Sequence, residues 1–225
     1  MNYFTSKSKN PFLIIGIILF VLLACSLFYK SRSSEVSPMN EAKPTPVSEV
    51  DATSEKDVSN PFVMPISDAK SRITKKHFGT YVTPKNSPVN PEVFTGFHTA
   101  VDFETFSNEK DIDVPIYAIC SGKILVKRVA NGYGGMVVQS CTLDNNPITV
   151  VYGHLRLADM KAVVGDTLKA GEFLTNLGTG YSTETAGERK HLHLGIHKGA
   201  TPDTRGYIAN KSDLENWIDF EQYVK

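Results

Sequence analysis

Lys190-His191-Leu192-His193-Leu194-Gly195-Ile196 is the segment from which the rest of the chain can be read. Side chains alternate between the two faces of a β-strand, so His191 and His193 share one face while Leu192, Leu194 and Ile196 share the other. The apolar face belongs against a core, and the opposite face presents two imidazoles. Such a pair suits a metal ion, but His-x-His alone is also the pattern of an ordinary polar strand face, so the reading depends on partners elsewhere in the chain.

Those partners exist. In Gly96-Phe97-His98-Thr99-Ala100-Val101-Asp102, one extended strand would carry His98 and Asp102 on the same face, with the small Ala100 between them. Val151-Tyr152-Gly153-His154-Leu155 places a further imidazole at the end of an apolar strand. Cys25, Cys120 and Cys141 match no Cys-x-x-Cys spacing, so a metal site here must draw on histidine and carboxylate. Two neutral imidazoles and one carboxylate suit Zn²⁺, forming a three-ligand site with a fourth position open to water. The two imidazoles left over can transfer a proton or stabilise the oxyanion of a tetrahedral intermediate, as amide hydrolysis requires.

Around these residues the chain from Phe62 onward shows short apolar runs broken by Gly, Pro and Asn. Ile116 to Ile119, Lys123 to Val129, Met136 to Gln139, Thr149 to Tyr152 and His191 to Ile196 read as strands, with turns at Asn131-Gly132 and Asp144-Asn145-Asn146-Pro147. The expected class is mainly β, built of antiparallel hairpins. A short helix is expected only near the C-terminus, where Ser212-Asp213-Leu214-Glu215 has the form of a capping box ahead of Trp217, a packing residue. If Val129 and Gly134 flank the first hairpin turn, Cys141 falls opposite Gly122 with Cys120 two residues further on. A disulfide and two buried free thiols are both open, since a one-residue slip would put the thiols on opposite faces.

Formal net charge is zero, which argues against nucleic acid as the main partner. Residues 12–29, from Phe12 to Tyr29, carry no charge and are enough for a slightly short transmembrane helix after a cytoplasmic segment of residues 1–11. A lipoprotein signal ending at Leu22-Leu23-Ala24-Cys25 is the lesser alternative, and no small-x-small site for a cleaved leader is evident. Residues 30–60 are rich in Ser, Glu, Pro and Lys and read as a flexible tether to a domain at 61–225. The expected location is a bacterial cytoplasmic membrane, crossed once, with the domain outside the cytoplasm.

The order His-x-x-x-Asp, Tyr-Gly-His-Leu, His-Leu-His resembles the lysostaphin/LytM-type zinc metallopeptidases, which cut peptide bonds in bacterial cell-wall peptidoglycan. The resemblance covers about residues 72–205. Val114-Pro115-Ile116-Tyr117-Ala118 with Ser121-Gly122-Lys123-Ile124 is similar to the family's first core hairpin, and Asn131-Gly132-Tyr133-Gly134-Gly135-Met136-Val137-Val138 to its second. Val164 to Glu172 is similar to the turn before the segment Leu174 to Gly180. The resemblance implies an antiparallel, barrel-like β domain with one Zn²⁺ held by His98, Asp102 and His193. His154 and His191 would line the open side, either one as the base, and a zinc-bound water would attack stem or cross-bridge peptides. A wall-hydrolase or divisome partner is left unnamed.

Two departures stand out. Ala100 replaces the family's usual Gly, a change of one methyl that the site should survive. The family's Ser-Thr-Gly-Pro before the first His is replaced by Ser182-Thr183 and a longer loop, Glu184-Thr185-Ala186-Gly187-Glu188-Arg189-Lys190. Arg189 and Lys190 read as a solvated turn, with contact to substrate carboxylates as the alternative. His197 reads as a partly exposed strand-end residue and His77 as structural. The rival functions are a non-enzymatic wall-binding module or hydrolase activator, and a carrier-like β domain, which would leave the five polar positions without a role.

Overall fold

A computed structural model describes residues 60–225; the expected anchor at 12–29, the segment before it and the tether as far as residue 59 lie outside the described residues. Among the described residues no helix is long and apolar enough to cross a membrane. The strands are β1 (Tyr81–Val82), β2 (Gly96–His98), β3 (Ala100–Glu104), β4 (Pro115–Tyr117), β5 (Gly122–Ala130), β6 (Gly134–Leu143), β7 (Asn146–Gly153), β8 (Leu155–Arg156), β9 (Thr167–Leu168), β10 (Phe173–Leu177), β11 (His191–Lys198), β12 (Tyr207–Ile208) and β13 (Trp217–Ile218). One α-helical turn, α1 (Ala69–Arg72), precedes them.

All the pairings are antiparallel, and the largest sheet runs β13-β11-β7-β6-β5-β9. On its other edge β11 pairs with β3 along its first half and with β13 along its second. Two three-stranded sheets, β1-β2-β12 and β4-β10-β8, flank it. The β6–β7 hairpin turns in two residues, Asp144 and Asn145, at φ 49 and 63, the left-handed pair that matches strand twist and that Asn and Asp tolerate best.

The alternation read from the sequence is realised in β11. Leu192, Leu194 and Ile196 are fully buried and join Val101 and Phe103 of β3 and Val150 and Tyr152 of β7 in the main core. Each such aliphatic side chain contributes roughly 1.5–3 kcal/mol by leaving water. The opposite face brings together residues paired across strands: Glu104 with His191, Asp102 with His193, and Ala100 with Gly195. A Cβ built on Gly195 would lie 3.5 Å from that of Ala100, an ordinary van der Waals contact, so the methyl of Ala100 sits here without crowding.

Three expectations change in detail. The chain from His98 to Asp102 is not one strand: it breaks at Thr99, whose N–H donates to the Gly206 carbonyl, so β2 and β3 belong to different sheets. The first hairpin closes one residue later than expected, pairing Ala130 with Gly134, and a bulge between Ile124 and Val126 then recovers the register, with Ile124 opposite Gln139. Cys120 and Cys141 accordingly meet in a disulfide, with their Cα atoms 6.1 Å apart.

The C-terminal segment is two 3₁₀ turns, Lys211–Asn216 and Phe220–Tyr223, separated by β13, rather than a single helix. Ser212 makes no cap; the first turn starts at Asn210, and only the second is capped by a side chain, with Asp219 accepting from the Glu221 N–H. The reason is tertiary: Trp217 and Ile218 pair with His197 and Ile196 and pull the segment out of helical geometry. Trp217 is buried, as a packing residue should be.

Candidate metal centre and active-site groove

The pairing of β3 with β11 sets Asp102 directly opposite His193, and β2 brings His98 in from the neighbouring sheet. His98 Nε2 lies 3.2 Å from His193 Nδ1 and 3.4 Å from Asp102 Oδ1, and His193 Nδ1 lies 3.2 Å from the same oxygen. With metal–ligand bonds of 2.0–2.1 Å, the edges of a tetrahedral zinc site come to about 3.3–3.4 Å, so this triangle has the size of three of its corners. Asp102 Oδ1 is buried and without a hydrogen-bond partner. An orphaned carboxylate oxygen between two imidazole nitrogens is the donor set a divalent cation satisfies. The three residues form a group placed to hold a metal ion.

The imidazoles are oriented from behind. His98 Nδ1 faces the His77 carbonyl at 3.3 Å, so a proton on Nδ1 donates there and leaves the Nε2 lone pair to the site. His77 thus supports the site through its backbone, while its half-exposed ring pairs with Glu221 at 2.8 Å. His193 is fixed by its strand and by Tyr133, whose ring meets it edge-on at 5.2 Å. Gly153 is required here: a Cβ on it would stand 2.6 Å from Tyr133 Cδ1 and 3.3 Å from His193 Cβ.

His154 and His191 stand together beside the triangle, with ring centroids 4.2 Å apart. His154 follows directly after β7 at φ 65, a left-handed conformation that costs a non-glycine residue free energy and turns its side chain out of the strand direction. Its N–H donates to the Tyr133 carbonyl, and its own carbonyl accepts from the Gly178 N–H. Through Nδ1, His154 meets the Thr185 carbonyl at 3.1 Å and His191 the Arg189 carbonyl at 2.8 Å. Protons on both Nδ1 atoms leave both Nε2 atoms as proton acceptors.

Residues 96–204 match the family model described as Peptidase family M23. These residues form a peptidase family M23 domain. The lysostaphin/LytM-type resemblance of the sequence points to the same family. A curated relative, Endolysin 2638A of Staphylococcus phage 2638A, is 29% identical over 143 residues, 63% of this chain. The match spans only 28% of that endolysin's length. Among solved structures, LytU is 25% identical, covering 68% of this chain and 90% of its own, with a TM-score of 0.44. Lysostaphin from Staphylococcus simulans is 24% identical, covering 72% of this chain and 53% of its own, with a TM-score of 0.43.

In the M23 domain the electrostatics favour a neutral His154 and a neutral His193 beside an ionised Asp102. Burial opposes ionisation of Asp102, but the neighbouring His191 and His98, with the close ring nitrogens of His191 and His193, outweigh it and hold its pKa well below the usual carboxylate range. Burial pushes His193 down to about 4, and burial followed by repulsion from His191 and His193 pushes His154 well below the usual imidazole value. A metal ligand and a proton acceptor both need the neutral imidazole.

The site opens into a groove of about 340 Å³, walled also by Phe94, Tyr133, Tyr207 and Lys76. Phe94 and Tyr207 stack at 5.0 Å, and the Tyr207 hydroxyl accepts from Lys76 Nζ at 2.8 Å. Lys76 is buried and paired with Glu92 at 2.5 Å. Burial, with the nearby negative charges of Asp102 and Glu92, drives the Tyr207 phenol pKa upward. None of Lys76, Glu92 and Tyr207 stood out in the sequence. Lys76 lies between Lys75 and His77, outside the motifs, and Tyr207 lies beyond the last of them.

The M23 domain also corrects the reading of the loop before β11. Arg189 is not a solvated residue: its side chain is 11% exposed and reaches Asp102 Oδ2 at 2.8 Å. Lys190 is buried too, and its Nζ donates to the carbonyls of Glu109 at 3.0 Å and Ile112 at 2.5 Å. The cause is the pairing of His191 with Glu104, which draws the residues before β11 over the acidic end of β3. His197 lies apart from the site against Trp217, with ring centroids 5.0 Å apart.

Proposed function

We propose that this chain is a membrane-anchored, zinc-dependent endopeptidase that hydrolyses stem or cross-bridge peptides of peptidoglycan. The observation that carries the proposal is the triangle of His98 Nε2, Asp102 Oδ1 and His193 Nδ1, with edges of 3.2–3.4 Å, beside two further imidazoles. Family membership supports peptidase chemistry and a cell-wall substrate. A zinc ion held by the triangle would supply Lewis-acid polarisation of water and of the scissile carbonyl.

The chain's own groups do the rest. His154 and His191, each with Nδ1 held by a backbone carbonyl, take the proton from the attacking water, return it to the departing amine, and stabilise negative charge on the carbonyl oxygen. The aromatic walls formed by Phe94, Tyr133 and Tyr207 exclude water and align an extended peptide along the groove. The uncharged run at 12–29 supports anchoring, and the disulfide between Cys120 and Cys141 supports an oxidising location outside the cytoplasm.

The test uses the full-length protein and isolated sacculi. About one zinc per chain, release of peptide fragments that chelation abolishes, and an Asp102→Ala variant that stays folded without metal or activity are the expected results. Metal-loaded protein that binds sacculi yet leaves every cross-linked muropeptide intact would overturn the enzymatic reading in favour of a wall-binding module or hydrolase activator.

A further inference from the structure

Asp102 divides its two oxygens between different tasks. Oδ1 faces His98 and His193 without a hydrogen bond, whereas Oδ2 accepts from Arg189 Nη2 at 2.8 Å and lies 3.3 Å from His191 Nε2. The guanidinium is itself clamped: Arg189 Nε lies 3.0 and 2.9 Å from the two Glu104 carboxylate oxygens, and Nη2 donates to the first of them as well. Glu104 is buried and held in turn. Its carbonyl accepts from Arg72 Nη1 at 3.1 Å, and its carboxylate meets Lys75 Nζ at 3.3 Å. A planar, permanently charged fork with one edge bound to Glu104 has little freedom in where it presents Nη2.

We propose that Arg189 is a positioning residue for the metal centre. Clamped by Glu104, it occupies Oδ2 of Asp102 and thereby makes the carboxylate a one-oxygen ligand through Oδ1. The inference rests on the zinc reading of the site. Two consequences follow from the geometry. Without the guanidinium the carboxylate is free to rotate and offer both oxygens to the ion, changing the coordination number. Oδ2 would also fall to His191, its other neighbour at 3.3 Å, and His191 Nε2 would be withdrawn from proton transfer. Arg189 thus serves both the ligand set and the availability of a proton acceptor. Its carbonyl, which accepts from His191 Nδ1, fixes the tautomer of the same ring.

The experiment compares full-length wild type with Arg189→Met and Arg189→Lys. The readouts are zinc transfer to a competing chelator and the visible spectrum of the Co²⁺-substituted proteins. Arg189→Met is expected to weaken metal affinity about 10–100-fold and to shift the Co²⁺ bands toward those of a higher coordination number. Arg189→Lys, which keeps the charge but not the fork, should recover part of the affinity and less of the spectrum. If Arg189→Met fails to fold because the buried Glu104 keeps only Lys75 as a partner, Arg189→Met/Glu104→Gln removes both charges and serves the same comparison. Wild-type affinity and an unchanged Co²⁺ spectrum in a folded Arg189→Met variant, or in the double variant used in its place, would overturn the proposal and leave the zinc reading standing. Wild-type protein that takes up no zinc would overturn both.

Discussion

The rings of His154 and His191 lie with centroids 4.2 Å apart, although one directly follows β7 and the other begins β11. Each is tied through Nδ1 to a backbone carbonyl, so neither can turn that nitrogen toward the groove without losing a hydrogen bond.

Removing either ring should therefore separate chemistry from metal binding. His154→Ala and His191→Ala are each expected to lower kcat about 10²–10⁴-fold on a cross-linked muropeptide while the metal content stays near that of wild type. Loss of zinc along with activity in His154→Ala would make that residue a ligand instead.

The metal-free protein should lose stability in acid. His193 has a folded pKa of about 4, set mainly by burial, against about 6.5 in an unfolded chain. Between those values the unfolded state binds a proton that the folded state excludes. The contribution is fully present above about pH 6.5 and falls away as pH drops toward 4, by on the order of 3 kcal/mol. The depressed pKa of Asp102 acts in the same direction at lower pH. Urea unfolding of chelator-treated protein should show a lower midpoint at pH 4.5 than at pH 7.5, and equal midpoints would contradict the burial of a neutral His193.

Gly153→Ala should damage the site from behind. The added Cβ would sit 2.6 Å from Tyr133 Cδ1 and 3.3 Å from His193 Cβ, so the ring or the strand must move. A cost of about 1–3 kcal/mol in stability is expected, with weaker metal binding. Adding Tyr133→Ala should relieve the clash, so the two stability losses should not sum in a double-mutant cycle.

Reducing the disulfide should loosen the sheet without touching the site. Cys120 and Cys141 are separated by 21 positions, and closing a loop of that length restricts the unfolded chain by about 3 kcal/mol. Cys120→Ala/Cys141→Ala is expected to lower Tm while leaving metal content unchanged. An unaltered Tm would show that the bridge contributes nothing.

The strands and the five polar residues were legible because their signal is local. A period of two places Leu192, Leu194 and Ile196 in the core and aims His191 and His193 the other way, whatever the rest of the chain does. The motif order then identified His98, Asp102 and His154 as their partners. Tertiary structure decided what depends on register and closure between distant segments: the break at Thr99, the bulge that brings Cys120 to Cys141, and the pairing of β13 that undoes the expected C-terminal helix. It also decided that Arg189, in a charged loop that reads as surface, is drawn across Glu104 onto Asp102, 87 positions away. A side chain's charge is written in the sequence, but whether that charge meets water or a buried carboxylate depends on which strand lies alongside it. That neighbour is set by long-range pairing, which no local pattern encodes.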